Sequence, residues 1–511
     1  MRRAVRFCLS LLVVLASAAA LAQDLASFEK KISVKKLANG LTFVVCERHE
    51  APVFSFYTIV DAGSAQDPKG ETGMAHMFEH MAFKGTTSIG TSNYEAEKVA
   101  LQKEEETYQA LQRERLKRVG RDPKKIEELE KAFHEAEEEA DKYVKKNEFS
   151  EIVEGQGGQN LNATTEEDQT SYFYAMPANR LERWAYLESE RFLHPVLREF
   201  YQERDVVYEE RRMRTDSSPF GRMLEQFQAT AYQAHPYHNQ SIGWPSDIEN
   251  LNMTDAQKFF DTYYVAANMT IAVVGDVKSD EVFALAEKYF GRLPAKPKPE
   301  DLITNEPQQV DERNVSIPER SQPIYLEGYH RGDYLDKDDA VYDFISDLLS
   351  DGRTSRLYRS LVRDKKIAAT AVGFTDYPGI KYPSLFGFYA IPIAGHTPAE
   401  LQSAIKEEIE RVKTQDVSDA EMEMVKTRAK ANLIRGLGDN EGLAAQLAIN
   451  QSRYGDWREL FYNIDRRLKV SKEDIRRVAN ATFTPINRTV AIVQTASPTN
   501  PTGEKGPGGE Q

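Results

Sequence analysis

The chain has 511 residues and a mass of 58.0 kDa, which is too long for one compact core and predicts two or more domains. A hydrophobic fraction of 41% together with 29% charged residues is typical of globular proteins and excludes a disordered or membrane-embedded chain. The formal net charge of −14 argues against nucleic acid and anionic lipid as main partners, because both are negatively charged.

The N-terminus has the pattern of a secretory signal peptide covering residues 1–22. Three arginines precede an apolar run, which ends in a small-x-small cleavage site at Ala20–Ala22. The run is too short for a membrane span. Cleavage removes Cys8 and leaves Cys46 as a single cysteine, so no disulfide framework is possible within the chain. We therefore expect export, most simply to the periplasm of a Gram-negative bacterium.

Strand patterns open the mature chain. The segment from Lys35 to Val45 predicts a hairpin that turns at Asn39-Gly40, and Phe54 to Val60 predicts a further strand. A helix is expected from about Thr72 onward. These elements place the motif described next directly after a strand and a short turn.

The predicted helix contains the motif His76-Met-Phe-Glu79-His80. Two histidines four residues apart lie on one helical face, where both imidazoles can bind one metal ion. Glu79 lies at the edge of that face, where a carboxylate can take a proton from a water activated by the metal. The alternative is a helix with ordinary surface histidines, but the apolar neighbours of the motif argue against it. The motif therefore predicts a zinc site with Glu79 as general base.

Zinc needs a further protein ligand, and a helical segment downstream offers two carboxylates. Glu203 and Glu210 are seven residues apart and so share one face, two turns apart. One of them can bind the metal while the other orients a histidine. An ordinary charged helix surface is the alternative for this segment.

Residues 98–147 differ from their surroundings. They contain 13 Lys or Arg and 13 Asp or Glu, with apolar residues spaced three and four apart. We interpret them as an antiparallel helical hairpin inserted into an older domain. Its basic stretch is best explained as a solvated helix end, and nucleic-acid binding there is not expected.

The two halves of the chain look like a diverged repeat. Asn268 and Asn487 begin similar segments 219 residues apart, whereas Gly85 and Gly352 begin similar segments 267 residues apart. The difference of 48 is close to the length of the hairpin, which lies between the matches in the first half only. We predict an α+β fold with two homologous α/β sandwich halves, like the metallohydrolases. The predicted divisions are a zinc-bearing domain over 23–293, a linker over 294–322, a homologous domain without zinc over 323–496 and a disordered tail over 497–511.

The sequence resembles the inverted-motif (H-x-x-E-H) zinc metallopeptidases of the pitrilysin/insulinase family, including the mitochondrial processing peptidases. The motif at 76–80, the segment around Leu161–Thr164, the Glu203–Glu210 segment and His235-Pro236-Tyr237 carry this resemblance. It implies that Glu210 is the third zinc ligand and that Glu203 is the helper carboxylate.

The resemblance also implies how substrate is bound. Asn162 and Ala163 would lie on an edge strand that pairs with an extended peptide. Arg363 would donate to substrate carbonyls from the second half, but Thr370 stands where the family has a tyrosine. We therefore expect a heterodimer with a homologous subunit that lacks the zinc motif and carries the Arg/Tyr pair; otherwise we expect a homodimer.

The expected function is a periplasmic zinc endopeptidase or oligopeptidase with one Zn²⁺ per chain, acting on extended peptides. Two alternatives stay open. One is a non-catalytic or weakly active subunit of a peptidase or assembly complex, which would have no need of the complete motif. The other is a metal-dependent hydrolase of a non-peptide substrate.

Overall fold

The computed structural model describes Leu25 and residues 28–495. The predicted signal peptide and the predicted tail lie outside these residues. Within the described part of the chain, every helix is too short or too polar to cross a membrane. The described residues form two compact units, each built around one mixed β-sheet.

The first unit is built on a six-stranded sheet in the order β1-β2-β6-β3-β5-β4. The strands are β1 (Ile32–Lys36), β2 (Thr42–Glu47), β3 (Val53–Val60), β4 (Gln159–Thr165), β5 (Thr170–Pro177) and β6 (Met269–Gly275). Strands β1 and β2 are antiparallel, and Lys36 pairs with Thr42 across the turn. Gly40 has a φ of +98° in this turn, a conformation that favours glycine. The predicted hairpin and the predicted strand after it are both confirmed.

The helices of the first unit come from three parts of the chain. They are α1 (Met74–Met81), α2 (Tyr94–Arg115), α3 (Pro123–Asp141), α4 (Glu148–Gly155), α5 (Leu181–Leu193), α6 (Phe200–Arg211), then α8 (Pro245–Ile248), α9 (Met253–Tyr263) and α10 (Ser279–Tyr289), and finally α14 (Asn440–Tyr454) and α15 (Glu459–Lys469). Helices α2 and α3 occupy the segment for which the charged hairpin is predicted, and they pack against each other.

The second unit is built on a five-stranded sheet in the order β7-β11-β8-β10-β9. Its strands are β7 (Arg313–Glu319), β8 (Ile324–His330), β9 (Ala368–Tyr377), β10 (Leu385–Pro392) and β11 (Arg488–Thr495). Its helices are α7 (Pro219–Ala231), α11 (Asp339–Ser350), α12 (Pro398–Thr414) and α16 (Lys472–Thr482), whereas α13 (Asp419–Gly436) has only its first residues in this unit.

The two sheets share one topology. In each of them, a parallel pair (β2 with β6, β7 with β11) is followed by three antiparallel neighbours in the same chain order. The similar segments that begin at Asn268 and Asn487 become the equivalent strands β6 and β11. Strand β1 is an addition to the first sheet. The predicted α+β fold with two related halves is confirmed.

The units do not follow the predicted linear boundaries. The first unit contains Met422–Lys469, whereas the second contains Arg212–Ala234. Apolar residues of α14 and α15, including Leu447 and Phe461, pack on the second face of the first sheet. A sheet has two apolar faces to cover, and local periodicity does not reveal which helix covers which face. The predicted domains 23–293 and 323–496 therefore need this correction.

The predicted linker over 294–322 also needs correction. Residues 313–319 of this stretch form β7, which pairs in parallel with β11 at the edge of the second sheet. Half-buried and exposed residues alternate along β7. Such an edge strand has a polar composition, which is why the sequence resembles a linker.

Candidate metal centre

Helices α1 and α6 bring His76, His80 and Glu210 together. A nitrogen of each imidazole and an oxygen of the carboxylate all lie within 4.8 Å of one another. Glu210 Oε2 is 3.7 Å from His76 Nε2 and 3.6 Å from His80 Nε2. The neighbouring Glu209 is exposed and is not part of this group. The side chains that the sequence predicts as ligands therefore converge at one point.

The donor set and its spacing fit a zinc ion. Zinc binds imidazole nitrogen and carboxylate oxygen at about 2.0–2.2 Å, so tetrahedral ligand atoms lie roughly 3.4 Å apart. The 3.6 and 3.7 Å separations around Glu210 are close to this value. Three protein ligands are also the number that leaves one coordination position for water or substrate.

A half-buried carboxyl group fixes the start of α1. Asp67 accepts hydrogen bonds from the backbone N–H groups of Gly73 (2.7 Å) and Ala75 (2.9 Å), which satisfies donors that a helix N-terminus leaves without partners. Burial raises the pKa of Asp67 to about 8, although the backbone donors oppose the shift. Asp67 thus fixes the first turn of the helix, one residue before His76.

A second carboxylate orients His80. Glu203 Oε2 lies 3.1 Å from His80 Nδ1, so an Nδ1–H can donate to it and the Nε2 is turned toward Glu210. Lys84 forms an ion pair with the other oxygen of Glu203 and with Glu199 at 3.2 Å. Glu203 therefore lies within hydrogen-bond distance of His80, while Lys84 is a component that sequence reasoning missed. Lys84 lies in the loop after α1, beyond the end of the helix at Met81, so helical spacing gives no signal for this contact.

The charges of this group are strongly coupled. Burial would lower the pKa of His80, but its contacts with Glu203 and Glu210 outweigh burial and raise the pKa to about 9. For Glu203, burial acts to raise the pKa, but His80 and Lys84 hold it below its usual range. Without a metal, His80 is therefore a cation at neutral pH.

A buried arginine connects the two helices that carry the candidate metal ligands to the hairpin. Arg198 lies just before α6, its side chain is 0% exposed, and it donates to Glu97 of α2 at 2.7 and 3.1 Å. It also donates to three backbone carbonyls of the loop that follows α1, those of Lys84, Thr86 and Ile89, at 2.7–2.9 Å. No sequence pattern around Arg198 or Glu97 predicts the contact between them.

The hairpin also packs directly on α6. The ring centroid of Tyr201 on α6 lies 4.2 Å from that of Tyr108 on α2 and 5.0 Å from that of Phe133 on α3. Arg204 of α6 donates to the Tyr108 hydroxyl at 2.6 Å. The hairpin is thus part of the support for the helix that carries Glu210, rather than a body that satisfies its own apolar seam.

Glu79 lies between the two histidines on α1 and is partly buried. The aromatic wall behind this helix includes Tyr172 and Tyr264, whose hydroxyls form a 2.7 Å hydrogen bond and whose pKa values are both raised, mainly by burial and also by the charge of Glu79. A carboxylate next to such a wall and beside the candidate metal ligands can serve as a base.

Strand β4 is the edge strand of the first sheet and lies beside α1. Asn162 is exposed and pairs with Phe173 of β5, whereas Ala163 is buried and pairs with Tyr172. A register shift between Gln159 and Asn162 interrupts the pairing just before these residues. Bulges of this kind are common at sheet edges next to active sites.

The second unit contains Arg363 and Thr370. The Arg363 side chain is 53% exposed and forms a two-pronged ion pair with Asp364, at 2.7 and 2.9 Å. Thr370 lies in β9, where it pairs with Ile391 of β10. A substrate role for Arg363 stays a prediction.

Two sequence models of peptidase domains match the chain. The model described as "Insulinase (Peptidase family M16)" matches residues 43–116 and 133–243, and the model described as "Peptidase M16 inactive domain" matches residues 250–429. Residues 117–132, which comprise the turn between α2 and α3 and the first half of α3, are the part that the first model leaves unmatched. That gap is shorter than the predicted 50-residue insertion.

Relatives match over most of the chain. The zinc protease PqqE of Helicobacter pylori is 30% identical over 95% of this chain and 97% of its own length. A probable mitochondrial-processing peptidase subunit beta of Arabidopsis thaliana is 24% identical over 88% of this chain and 75% of its own length. The crystal structure of a protease from Helicobacter pylori superposes with a TM-score of 0.75 at 28% identity, covering 91% of this chain and 99% of that one. The chain therefore belongs to the insulinase family of peptidases, family M16.

Proposed function

We propose that this chain is a zinc-dependent endopeptidase or oligopeptidase that hydrolyses extended peptides. The convergence of His76, His80 and Glu210 within 4.8 Å, with Glu79 on the same helix, carries this proposal. A binding subunit has no chemical need for three metal ligands and a base in one place. The names of the relatives as zinc proteases support the same function.

In this proposal, His76, His80 and Glu210 hold the zinc, and Glu203 keeps the His80 ring in the orientation that metal binding needs. When bound, Zn²⁺ supplies a Lewis acid that polarises the scissile carbonyl. Lys84 keeps Glu203 ionised, because its ammonium group is paired with the carboxylate. The ion pair thus preserves the acceptor for His80 Nδ1–H.

Glu79 acts as the general base and then as the general acid. It takes a proton from the attacking water, whose oxygen forms the new bond to the scissile carbon. It then gives a proton to the amine nitrogen as the C–N bond breaks, so the reaction consumes one water and yields a carboxylate and an amine. The buried tyrosines behind α1 limit access of bulk water on that side.

The edge of β4 is the proposed binding surface for the peptide. Strand addition holds an extended substrate through backbone hydrogen bonds, with little dependence on its side chains. Asn162 and Ala163 follow the bulge in β4 and would provide the backbone groups nearest to α1. Folded proteins are not expected to be substrates, because their strands are already paired.

The decisive experiment combines metal analysis with cleavage of a mixed peptide library. We expect one zinc per chain, cleavage of unstructured peptides, loss of cleavage with a chelator and recovery on adding zinc. A chain that binds zinc but cleaves no peptide, alone or with a homologous subunit, would contradict the peptidase assignment. Cleavage that persists in the fully metal-free chain would contradict the zinc mechanism.

Export to the periplasm is part of the proposal and rests on the sequence of residues 1–22. Expression with this segment should give a periplasmic protein that begins at Gln23. Fractionation followed by N-terminal sequencing tests it. A chain found in the cytoplasm with its N-terminus intact would exclude periplasmic export.

We further propose that a homologous subunit completes the active enzyme. The threonine side chain of Thr370 is too short to replace a tyrosine donor at this position, and removal of one such donor typically costs about 10²–10³ in rate. The isolated chain should then be weakly active, and a subunit with an Arg/Tyr pair should activate it strongly. The replacement Thr370→Tyr should raise the activity of the isolated chain. Full activity of the isolated chain, unchanged by a homologous partner, would contradict the heterodimer.

A further inference from the structure

The tip of the α2–α3 hairpin, residues 113–125, differs in charge from the rest of the molecule. It contains seven Lys or Arg and two Asp or Glu, a net charge of +5. Because the whole chain has a net charge of −14, the remainder carries −19. The acidic overall balance therefore conceals one strongly basic region.

The tip begins where the contacts of the hairpin with the core end. Leu111 is 1% exposed and Gln112 donates to the Asn250 carbonyl at 2.8 Å. From residue 113 to residue 125, every residue except Glu114 is exposed. The basic side chains of the tip are thus presented to solvent.

Several of these cations have no acidic partner within the described part of the chain. Glu114 binds Lys117 at 2.6 Å and Lys125 at 3.4 Å, and Arg115 pairs with Glu130 at 2.6 Å. The remaining four form no ion pair among the described residues, and they are Arg113, Arg118, Arg121 and Lys124. Four positive charges are therefore available to an external anionic partner.

Two apolar side chains are exposed between these cations. Leu116 is 61% exposed and Val119 is 90% exposed. Gly120, with a φ of +74°, turns the chain beside Val119, and a side chain at this position would meet no atom within 4 Å. A convex turn with apolar residues among unpaired cations suits a surface with a charged outer layer and an apolar interior.

We propose that the hairpin tip docks the protein on a bilayer that contains anionic phospholipid. Clusters of four to eight Lys or Arg bind such surfaces, each cation strengthening binding by about fivefold. Leu116 and Val119 would enter the boundary between headgroups and acyl chains. Salt screens charges over roughly 8–10 Å, so acidic residues farther than this from the bilayer would oppose docking only weakly.

Other polyanions fit the tip less well. Residues 113–125 include no aromatic side chain on which nucleic-acid bases could stack. A stable protein interface buries about 800 Å² per partner, which is more than a convex turn of this length can offer. The family model leaves most of the tip unmatched, so docking would be a property of this chain rather than of all its relatives.

Binding of the full chain to vesicles tests the proposal. The vesicles contain phosphatidylcholine alone or phosphatidylcholine with about 30% phosphatidylglycerol. We expect binding to the anionic vesicles only, weakened when salt rises from about 50 mM to about 300 mM. The variant R113Q/R118Q/R121Q/K124Q should bind about 100-fold more weakly or worse. The variant L116S/V119S should lose roughly tenfold.

A matched control neutralises four exposed lysines elsewhere in the first unit. Lys30, Lys36, Lys69 and Lys278 form no ion pair among the described residues, so K30Q/K36Q/K69Q/K278Q should bind vesicles within about threefold of the native chain. All variants should have the same unfolding temperature as the native chain, because the replaced side chains are exposed. Equal losses in both fourfold variants, or unchanged binding of the tip variant, would overturn the proposal. Native binding to double-stranded DNA as tight as to anionic vesicles would overturn the choice of lipid.

Discussion

Helices α1 and α11 occupy equivalent places in the two units, but each unit neutralises its buried charges differently. In the first unit, the imidazoles of α1 meet Glu210 from α6. In the second unit, the side chain of Arg331 is 0% exposed and forms ion pairs with Asp339 of α11 and, at 2.9 Å, with Asp376. Its guanidinium group also lies 4.5 Å from the ring centroid of Tyr342. One scaffold thus holds a group of candidate metal ligands, and the other holds a permanent guanidinium.

The difference indicates that a metal site needs a specific set of ligand side chains in addition to the shared fold. Buried carboxylates require a cation, and Arg331 supplies one that cannot dissociate. At the α11 positions equivalent to His76 and His80, the chain has Asp343 and Asp347. Within the part of the chain that the structure describes, only the group of His76, His80 and Glu210 places three candidate ligand atoms within 4.8 Å. We therefore expect metal dependence in the first unit alone.

The largest expected effect comes from Glu79→Gln. The amide keeps the size and polarity of the side chain but cannot take a proton, so peptidase activity should fall by about 10²–10⁴. Zinc content should not change, because Glu79 is not a ligand. The exposed neighbour variant Glu209→Gln should keep native activity. Near-native turnover of Glu79→Gln would mean that another group is the base.

The replacement Glu97→Gln tests whether the hairpin supports the metal site. It leaves the buried Arg198 without a counter-charge, which typically costs about 3–5 kcal/mol of stability, and it should loosen the loop after α1 and so weaken zinc binding. Arg115→Gln removes an exposed ion pair of the same hairpin, worth about 0–1 kcal/mol. Thermal unfolding and a chelator competition measure both effects. A Glu97→Gln protein with native stability and zinc affinity would show that the hairpin is independent of the site.

The replacement Glu203→Gln tests the orienting carboxylate. It removes the ionised acceptor for His80 Nδ1–H and the partner of Lys84, and loss of such contacts typically costs about 10–100-fold in metal affinity. Asp339→Asn changes the corresponding buried charge cluster of the second unit and should leave zinc affinity unchanged. If Asp339→Asn lowered zinc affinity more than Glu203→Gln does, zinc binding would depend on the charge cluster of the second unit and the comparison between the units would be wrong.

Counted per pH unit, the smallest expected effect is a pH dependence of zinc binding. With its pKa raised to about 9, His80 must release a proton before it binds metal, so affinity should rise by about tenfold per pH unit between pH 6.5 and 9. The same protonated pair stabilises the metal-free fold fully below pH 6.5, and this stabilisation is lost as pH rises through 9. Calorimetry in buffers of different ionisation enthalpy should detect about one proton released per zinc near pH 7. Binding without proton release would contradict the raised pKa.

The sequence was most informative where local pattern determines structure. The hairpin at Asn39-Gly40 and the helical motif at 76–80 need only neighbouring residues for their recognition, and both are found where they were predicted. The similar segments that start at Asn268 and Asn487 predicted the repeat, because equivalent strands keep equivalent apolar patterns.

The parts that sequence reasoning missed depend on contacts between distant segments. Arg198 donates to Glu97 and to carbonyls of the loop after α1, and both partners lie more than 100 residues before Arg198 in the chain. Such partners leave no periodic signal, because a single side chain makes each contact. For the same reason, the covering of the first sheet by α14 and α15 could not be predicted from either half alone.

That covering has a consequence for biosynthesis. The second face of the first sheet packs against α14 and α15, which end at Lys469, so its apolar residues lack their native cover until most of the 511-residue chain has left the ribosome. The first sheet therefore acquires its complete apolar core only when residues beyond Leu443 are available to pack on it.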